Sequence, residues 1–225
     1  MIVFEGIEGS GKTTASRNLE KYLSTRGYKT LWTREPTTSK IGCLIESILL
    51  GQIVVAEESI PLLFAADRAD HTRRVILPSI NKGYVVISDR YIHSSLTYQR
   101  SGMKKSFKED WLEIINKYAI KPDLVVFLDI APEEGLSRIG KWLRIHDDKF
   151  FENLETQKKI RQTYHELLKL NKSSNRLLQR DLFSSSLLPS VKEHANENMI
   201  LSVDASLNQQ RVQNLINEEV QAFLK

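Results

Sequence analysis

Residues 6–13 read Gly6-Ile7-Glu8-Gly9-Ser10-Gly11-Lys12-Thr13 and satisfy the pattern G-x-x-x-x-G-K-S/T at every fixed position. The run follows directly on Ile2–Glu5, a short apolar stretch with the character of a buried strand, and opens what reads as a helix from Lys12 to Arg26. In that setting glycines let backbone N–H groups turn inward around an anion, and the helix N-terminus adds its partial positive charge. Lys12 is expected to reach the β and γ oxygens of a nucleoside triphosphate, and the Thr13 hydroxyl to join the shell of a Mg2+ ion. The expected cradle is Gly6, Ile7, Glu8, Gly9, Ser10, Gly11, Lys12, Thr13 and Thr14.

Beyond the loop, strand and helix patterns alternate. Gly27 ends the first helix, and Lys29–Arg34 reads as a second strand. Helical stretches follow over Ser39–Gly51 and Glu58–Asn81, the second lightly broken at Pro78. Tyr84–Ser88 is apolar until it meets Ser88-Asp89, and Leu124–Ile130 is the clearest buried strand. Further helices are expected over Lys108–Lys117, Pro132–Leu143, Asp148–Leu170 and Asn208–Leu224, with a last strand over Met199–Val203. Five strands without polar alternation, separated by helices, indicate an α/β fold: a five-stranded parallel sheet flanked by helices in three layers, as one domain over residues 1–225. Asn171–Asn198 breaks this order with Ser, Asn and Lys clusters around apolar pairs. It is too apolar for a disordered linker, and a partly helical insertion is expected there.

Composition narrows the field. The net charge of +4 is small and not gathered into one basic tract, so a nucleic-acid partner is not expected. The sole cysteine, Cys43, excludes an internal disulfide and a multi-cysteine zinc site, and its apolar helical surroundings suggest a core position. No apolar run approaches the ~20 residues of a membrane span, and a soluble, cytoplasmic protein is expected. His165-Glu166-Leu-Leu-Lys169 begins like H-E-x-x-H but places lysine at the second ligand position, so it is no zinc site. Neither the D-x-x-G nor the N-K-x-D element of a GTPase occurs. The strand over Tyr84–Ser88 ends in the single acid Asp89, whereas helicase-type ATPases close theirs with paired acids. A small-molecule kinase using ATP remains, its acceptor in the cleft at the carboxyl ends of the strands.

Asp89-Arg90-Tyr91-Ile92-His93-Ser94-Ser95-Leu96-Thr97-Tyr98-Gln99 resembles the D-R-Y/H signature of thymidylate kinases. Thr33-Arg34-Glu35-Pro36 is similar to that family's R-E-P loop, and Leu63-Phe64-Ala65-Ala66-Asp67-Arg68 to its F-A-x-x-R helix. With the glycine loop carrying Glu8, these elements come in the family's order, and the similarity covers roughly Ile2–Leu170. It implies a kinase that moves the γ-phosphate of ATP to dTMP with Mg2+, and a homodimer. Another P-loop kinase with a different acceptor, or a nucleic-acid-stimulated ATPase, are the alternatives.

Arg34 and Arg90 both follow strands, so both belong at the carboxyl edge of the sheet, where guanidinium groups grip phosphate bidentately. The resemblance assigns them to the acceptor monophosphate. Phe64 and Arg68, four apart, share one helical face; the resemblance makes Phe64 the platform under thymine and Arg68 the donor to its O4, the alternative for Phe64 being plain core, as expected of Leu62 and Leu63 beside it. By the same resemblance Ser95 stands against the base edge and Tyr98 crowds C2′ of the sugar. Glu8, within the loop, should face the acceptor, and the resemblance suggests a 3′-hydroxyl or metal-water contact. Asp89 closes a buried strand and is the natural outer-shell Mg2+ partner. In a lid over about 138–148, Arg138 matches the family arginine that packs on adenine. Members whose loop lacks a basic residue tend to supply one from the lid, so Lys141 or Arg144 is expected to add transition-state charge.

Overall fold

The computed structural model describes residues 1–102, 108–139, 153–170, 177–181 and 198–225. Six strands form one sheet: β1 (Ile2–Glu5), β2 (Thr30–Arg34), β3 (Val85–Asp89), β4 (Leu124–Asp129), β5 (Leu177–Asp181) and β6 (Asn198–Asp204). Their spatial order is β2-β3-β1-β4-β6-β5. The first four and β6 are mutually parallel, matching the five strands expected from sequence. The helices are α1 (Lys12–Ser24), α2 (Lys40–Leu49), α3 (Ser59–His71), α4 (Leu77–Asn81), α5 (Ile92–Thr97), α6 (Glu109–Ile115), α7 (Pro132–Ile139), α8 (Leu154–Leu167) and α9 (Gln209–Phe223).

β1 and β4 are apolar on both faces because both faces are covered. Val3, Phe4, Val125, Val126 and Phe127 are fully buried, and burying each such side chain stabilises the fold by roughly 1.5–3 kcal/mol. α1 and α9 pack on each other and on the sheet. α8 lays Tyr164 on Phe127 of β4, with ring centroids 5.2 Å apart. In the ladder Phe4 pairs with Asp89, and Arg34 pairs with Asp89 from the other side. The carboxyl ends of β1, β2 and β3 are therefore level, which sets the glycine loop, Arg34 and Arg90 along one edge.

Several expectations are corrected. Leu177–Asp181, expected within a partly helical insertion, is a strand that lies antiparallel on β6. An edge strand offers a row of unpaired backbone groups, and one more strand satisfies them; residues 171–176 and 182–197 lie outside the described residues. The helix expected over Glu58–Asn81 is α3 and α4 joined by a π-helical turn, Thr72–Ile76. Pro78 lacks the N–H that would continue a regular ladder, so the disturbance sits one turn before it. Cys43 is exposed, because α2 buries Gly42, Ile45 and Ile48 on its opposite side. Leu62 is 49% exposed rather than core. α5 and the π-helical turn Tyr98–Gly102 after it were not anticipated.

Candidate active site

The glycine loop bends where only glycine is unstrained. Gly11 precedes α1 with φ 93°, and Gly9 has φ 73°. A Cβ on Gly9 would stand 1.9 Å from the carbonyl oxygen of Gly135, so α7 packs directly against the loop. Lys12 folds back over it and donates from Nζ to the Ile7 carbonyl at 2.6 Å and to Ser10 Oγ at 3.3 Å. Burial, and then the charge of Arg90, push the Lys12 ammonium down to about 8. An ammonium depressed in this way is restored by added negative charge, which a polyphosphate supplies.

Thr13 Oγ1 donates to Asp89 Oδ2 at 2.5 Å, so the two residues expected at the metal are in contact. A hydroxyl and a carboxylate are the hard oxygen donors that Mg2+ prefers. Among the described residues no group of three or more His, Cys, Asp or Glu could hold a metal. The pair thus suits an ion whose remaining ligands come from phosphate and water.

On the opposite wall, Arg90 holds an unusual backbone conformation for a non-glycine residue, with φ 68°. Its Nη2 donates to Glu8 Oε1 at 2.5 Å and its Nη1 to Ser94 Oγ at 3.4 Å. The guanidinium lies 5.0 Å from the centre of the Tyr98 ring, and the Tyr98 hydroxyl donates to Glu8 Oε1 at 3.3 Å. Burial opposes charge on Glu8, but Arg90 and Lys12 outweigh it and hold the carboxyl below its ordinary range. Burial likewise disfavours the Arg90 charge, and Glu8 more than restores it. From α8, Gln157 accepts the Glu8 backbone N–H at 3.1 Å. Arg34 donates to Glu46 Oε1 at 2.5 Å in an exposed pair. A cleft of about 420 Å³ is lined by Glu8, Gly9, Gly11, Lys12, Thr13, Thr14, Arg34, Glu35, Pro36, Asp89, Arg90, Arg138 and Ile139. Arg138 pairs with Glu134 at 2.7 Å; Lys141 and Arg144 lie outside the described residues.

Phe64, Arg68, Ser95 and Tyr98 are not among the residues lining this cleft. Arg68 is 2% exposed and is held by Glu35 Oε2 at 2.8 Å, Asn116 Oδ1 at 2.5 Å, Ser95 Oγ at 2.8 Å and the Tyr91 carbonyl at 3.3 Å. One Nη1 hydrogen remains outside these bonds, because a guanidinium carries five. Glu35 Oε1 also meets His71 Nδ1 at 3.0 Å, and His71 Nε2 meets Thr33 Oγ1 at 2.7 Å. Asp67 accepts from Thr37 N, Thr37 Oγ1 and Ser39 Oγ at 2.8, 2.6 and 2.9 Å. One face of α3 therefore clamps the loop after β2. Phe64 is half-buried against the cluster of Ile48, Ile60, Leu96 and Leu112.

Sequence reasoning missed Glu5, His71, Asn116, Gln157 and Tyr164 as supports of the site. Glu35 and Asp67 were visible inside recognised motifs, but their roles were not. For Glu5 the signal was an acid closing the apolar run of β1; the others lie in polar or mixed stretches that carry no such mark.

A glycine loop after β1, a lysine folded over it and arginines at neighbouring strand ends define the class: a P-loop phosphotransferase acting on a nucleotide. Residues 4–180 match the family model described as thymidylate kinase. The chain is 42% identical over 174 residues to a protein of Pyrococcus horikoshii named probable thymidylate kinase, covering 75% of this chain and 82% of that one. It is 40% identical over 176 residues to the Pyrococcus abyssi protein of the same name, covering 76% and 83%. The Methanococcus vannielii protein, also so named, is 42% identical over 170 residues, covering 75% and 78%. The chain belongs to the thymidylate kinase family.

Proposed function

We propose that this enzyme transfers the γ-phosphate of ATP to dTMP, giving ADP and dTDP. The observation that supports this reading is the contact between Glu8 of the phosphate loop and Arg90 beyond β3, both of which line one cleft with Lys12. An oxygen of the dTMP phosphate attacks the γ-phosphorus in line, and the bond to the β,γ-bridging oxygen breaks, releasing ADP. No strong general base is required, since a phosphate oxygen is already nucleophilic near neutral pH. Arg90 and Arg34 neutralise the acceptor phosphate and aim it, which removes charge repulsion and the entropy cost of alignment. Lys12 meets the β and γ oxygens of the donor. Glu8 faces the sugar, Tyr98 crowds its C2′, and Phe64, Arg68 and Ser95 read the thymine.

Mg2+ beside Thr13 and Asp89 would screen the phosphate charges when bound. Arg138 packs on adenine, and Lys141 or Arg144, in a lid over about 138–148, adds charge as the γ-phosphate transfers. We further propose that residues 1–225 act as one kinase domain, working as a homodimer in the cytoplasm without a nucleic-acid partner. Among the described residues no helix is long and apolar enough to cross a membrane.

A coupled ADP-release assay over a panel of nucleoside monophosphates tests the acceptor. dTMP is expected to be preferred; a rate no better than with CMP, UMP or AMP sinks the thymidylate reading. Hydrolysis that rises with added DNA or RNA, without phosphorylation of dTMP, would favour the ATPase alternative instead.

A further inference from the structure

We infer that Glu5, the last residue of β1, is a positioning residue for Arg90: its carboxylate holds the turn and the hydroxyl that aim this guanidinium into the cleft. The inference rests on the phosphate role proposed above for Arg90. Glu5 is completely buried in an otherwise apolar strand, where an aliphatic residue would pack as well. Burial raises the Glu5 carboxyl above its ordinary range, and the hydrogen-bond donors that offset this, beside the Arg90 charge, come from two places. Oε1 accepts the backbone N–H groups of Tyr91 at 3.0 Å and Ser94 at 3.2 Å. Oε2 accepts the hydroxyls of Ser94 at 2.6 Å and Tyr164 at 2.9 Å.

Both routes lead to Arg90. Its left-handed backbone, φ 68°, is held only where neighbours over-determine it. The restraints are Arg90 N–H on the Phe4 carbonyl at 3.0 Å, Ser88 Oγ on the Arg90 carbonyl at 2.8 Å, and the next N–H, that of Tyr91, on Glu5. α5 begins immediately afterwards with no side-chain cap from its own first residue, and Glu5 takes that place from across the sheet. The second route is the side chain itself. Ser94 Oγ directs its proton to Glu5, which leaves a lone pair facing Arg90 Nη1 at 3.4 Å. Tyr164 of α8 braces the same carboxylate oxygen, 3.1 Å from Ser94 Oγ. Glu5 therefore sets the direction of Arg90 without reaching the cleft.

The test is calorimetric binding of dTMP, and separately of ATP with Mg2+, to the full chain and its variants. Glu5→Ala should weaken dTMP binding at least about tenfold while ATP affinity stays within about twofold. Glu5→Gln should restore most of the loss, because its amide oxygen accepts both backbone N–H groups and its amide nitrogen donates to the two hydroxyls. In an Arg90→Ala background, Glu5→Ala should add less than about twofold, the signature of a residue acting through another. Equal loss of ATP and dTMP affinity, or losses that multiply in the double variant, overturns the inference. If Glu5→Ala shows no cooperative melt, Ser94→Ala decides. A loss of dTMP affinity of about threefold that vanishes beside Arg90→Ala supports the positioning route, and unchanged affinity overturns it. Arg90→Ala leaving dTMP binding intact sinks the proposed phosphate role instead. Loss with Arg90→Ala but none with Glu5→Ala removes this inference alone.

Discussion

The donor wall of the cleft, Gly6–Thr14, comes from one unbroken stretch and works largely through its backbone. The side proposed for the acceptor draws Arg34 and Glu35 from the end of β2, Arg68 and His71 from α3, Arg90 and Ser95 from around α5, and Asn116 from the end of α6. Within the loop Lys12 bonds to Ile7 and Ser10, while Glu8 and Thr13 reach out to Gln157, Arg90, Tyr98 and Asp89. Acceptor residues are held by partners far away in sequence, as Arg68 is by Glu35, Ser95 and Asn116. A phosphate is bound alike in every nucleoside triphosphate, so a portable loop suffices. A particular base has to be distinguished from others, which needs donors fixed in a dry environment.

The contrast can be tested from its largest consequence downward. Lys12→Ala should reduce turnover on the order of a thousandfold with every acceptor alike, read in the coupled ADP-release assay. A loss confined to dTMP would erase the division between the walls. Arg68→Ala should act on stability as well as on base choice. It leaves Glu35 buried without its cation, at a cost of roughly 3–4 kcal/mol in urea unfolding, and should narrow the preference of dTMP over other monophosphates. A variant of unchanged stability would mean that the buried network does not hold the acceptor side together.

His93, fully buried on α5, probes how dry that side is. Burial, and then the Arg68 charge, push its imidazole down to about 4. Below pH 6.5 the unfolded chain takes up a proton that the folded protein refuses until about pH 4. Its contribution therefore lowers stability as pH falls across that window, by about 2–3 kcal/mol between pH 7 and 4.5. Unfolding of wild type and His93→Gln at pH 7, 5.5 and 4.5 should show the gap between them shifting by that amount. A constant gap would mean that this histidine stays solvated. The smallest effect belongs to Arg34→Ala. Its pair with Glu46 is open to solvent, with side chains 44% and 40% exposed, so stability should change by no more than about 0.5 kcal/mol. dTMP affinity should nevertheless fall. Two arginines on the acceptor side would then be separated by burial alone, one carrying structure and the other only charge.

Legibility followed the same line. The parallel strands and the loop were readable because apolar runs and glycine spacing are local properties. α5 was not, since its N-terminus is capped by Glu5 from another strand and its own sequence carries no cap. The edge strand Leu177–Asp181 was missed for a related reason: a short segment becomes a strand when an open edge receives it. Cys43 was misplaced because an apolar neighbourhood in sequence does not say which side of α2 faces inward.

By itself the sequence determined the α/β class and the phosphate loop, both of which rest on short-range pattern. Only the tertiary structure decided that Arg68 is caught among Glu35, Ser95 and Asn116, that Arg90 is pinned between Glu8 and Ser94, and that Glu5 supports that turn from beneath. Apart from Arg90 with Ser94, these contacts join residues tens of positions apart. Their geometry is set by how strands and helices pack, and burial then turns ordinary charged side chains into fixed ones.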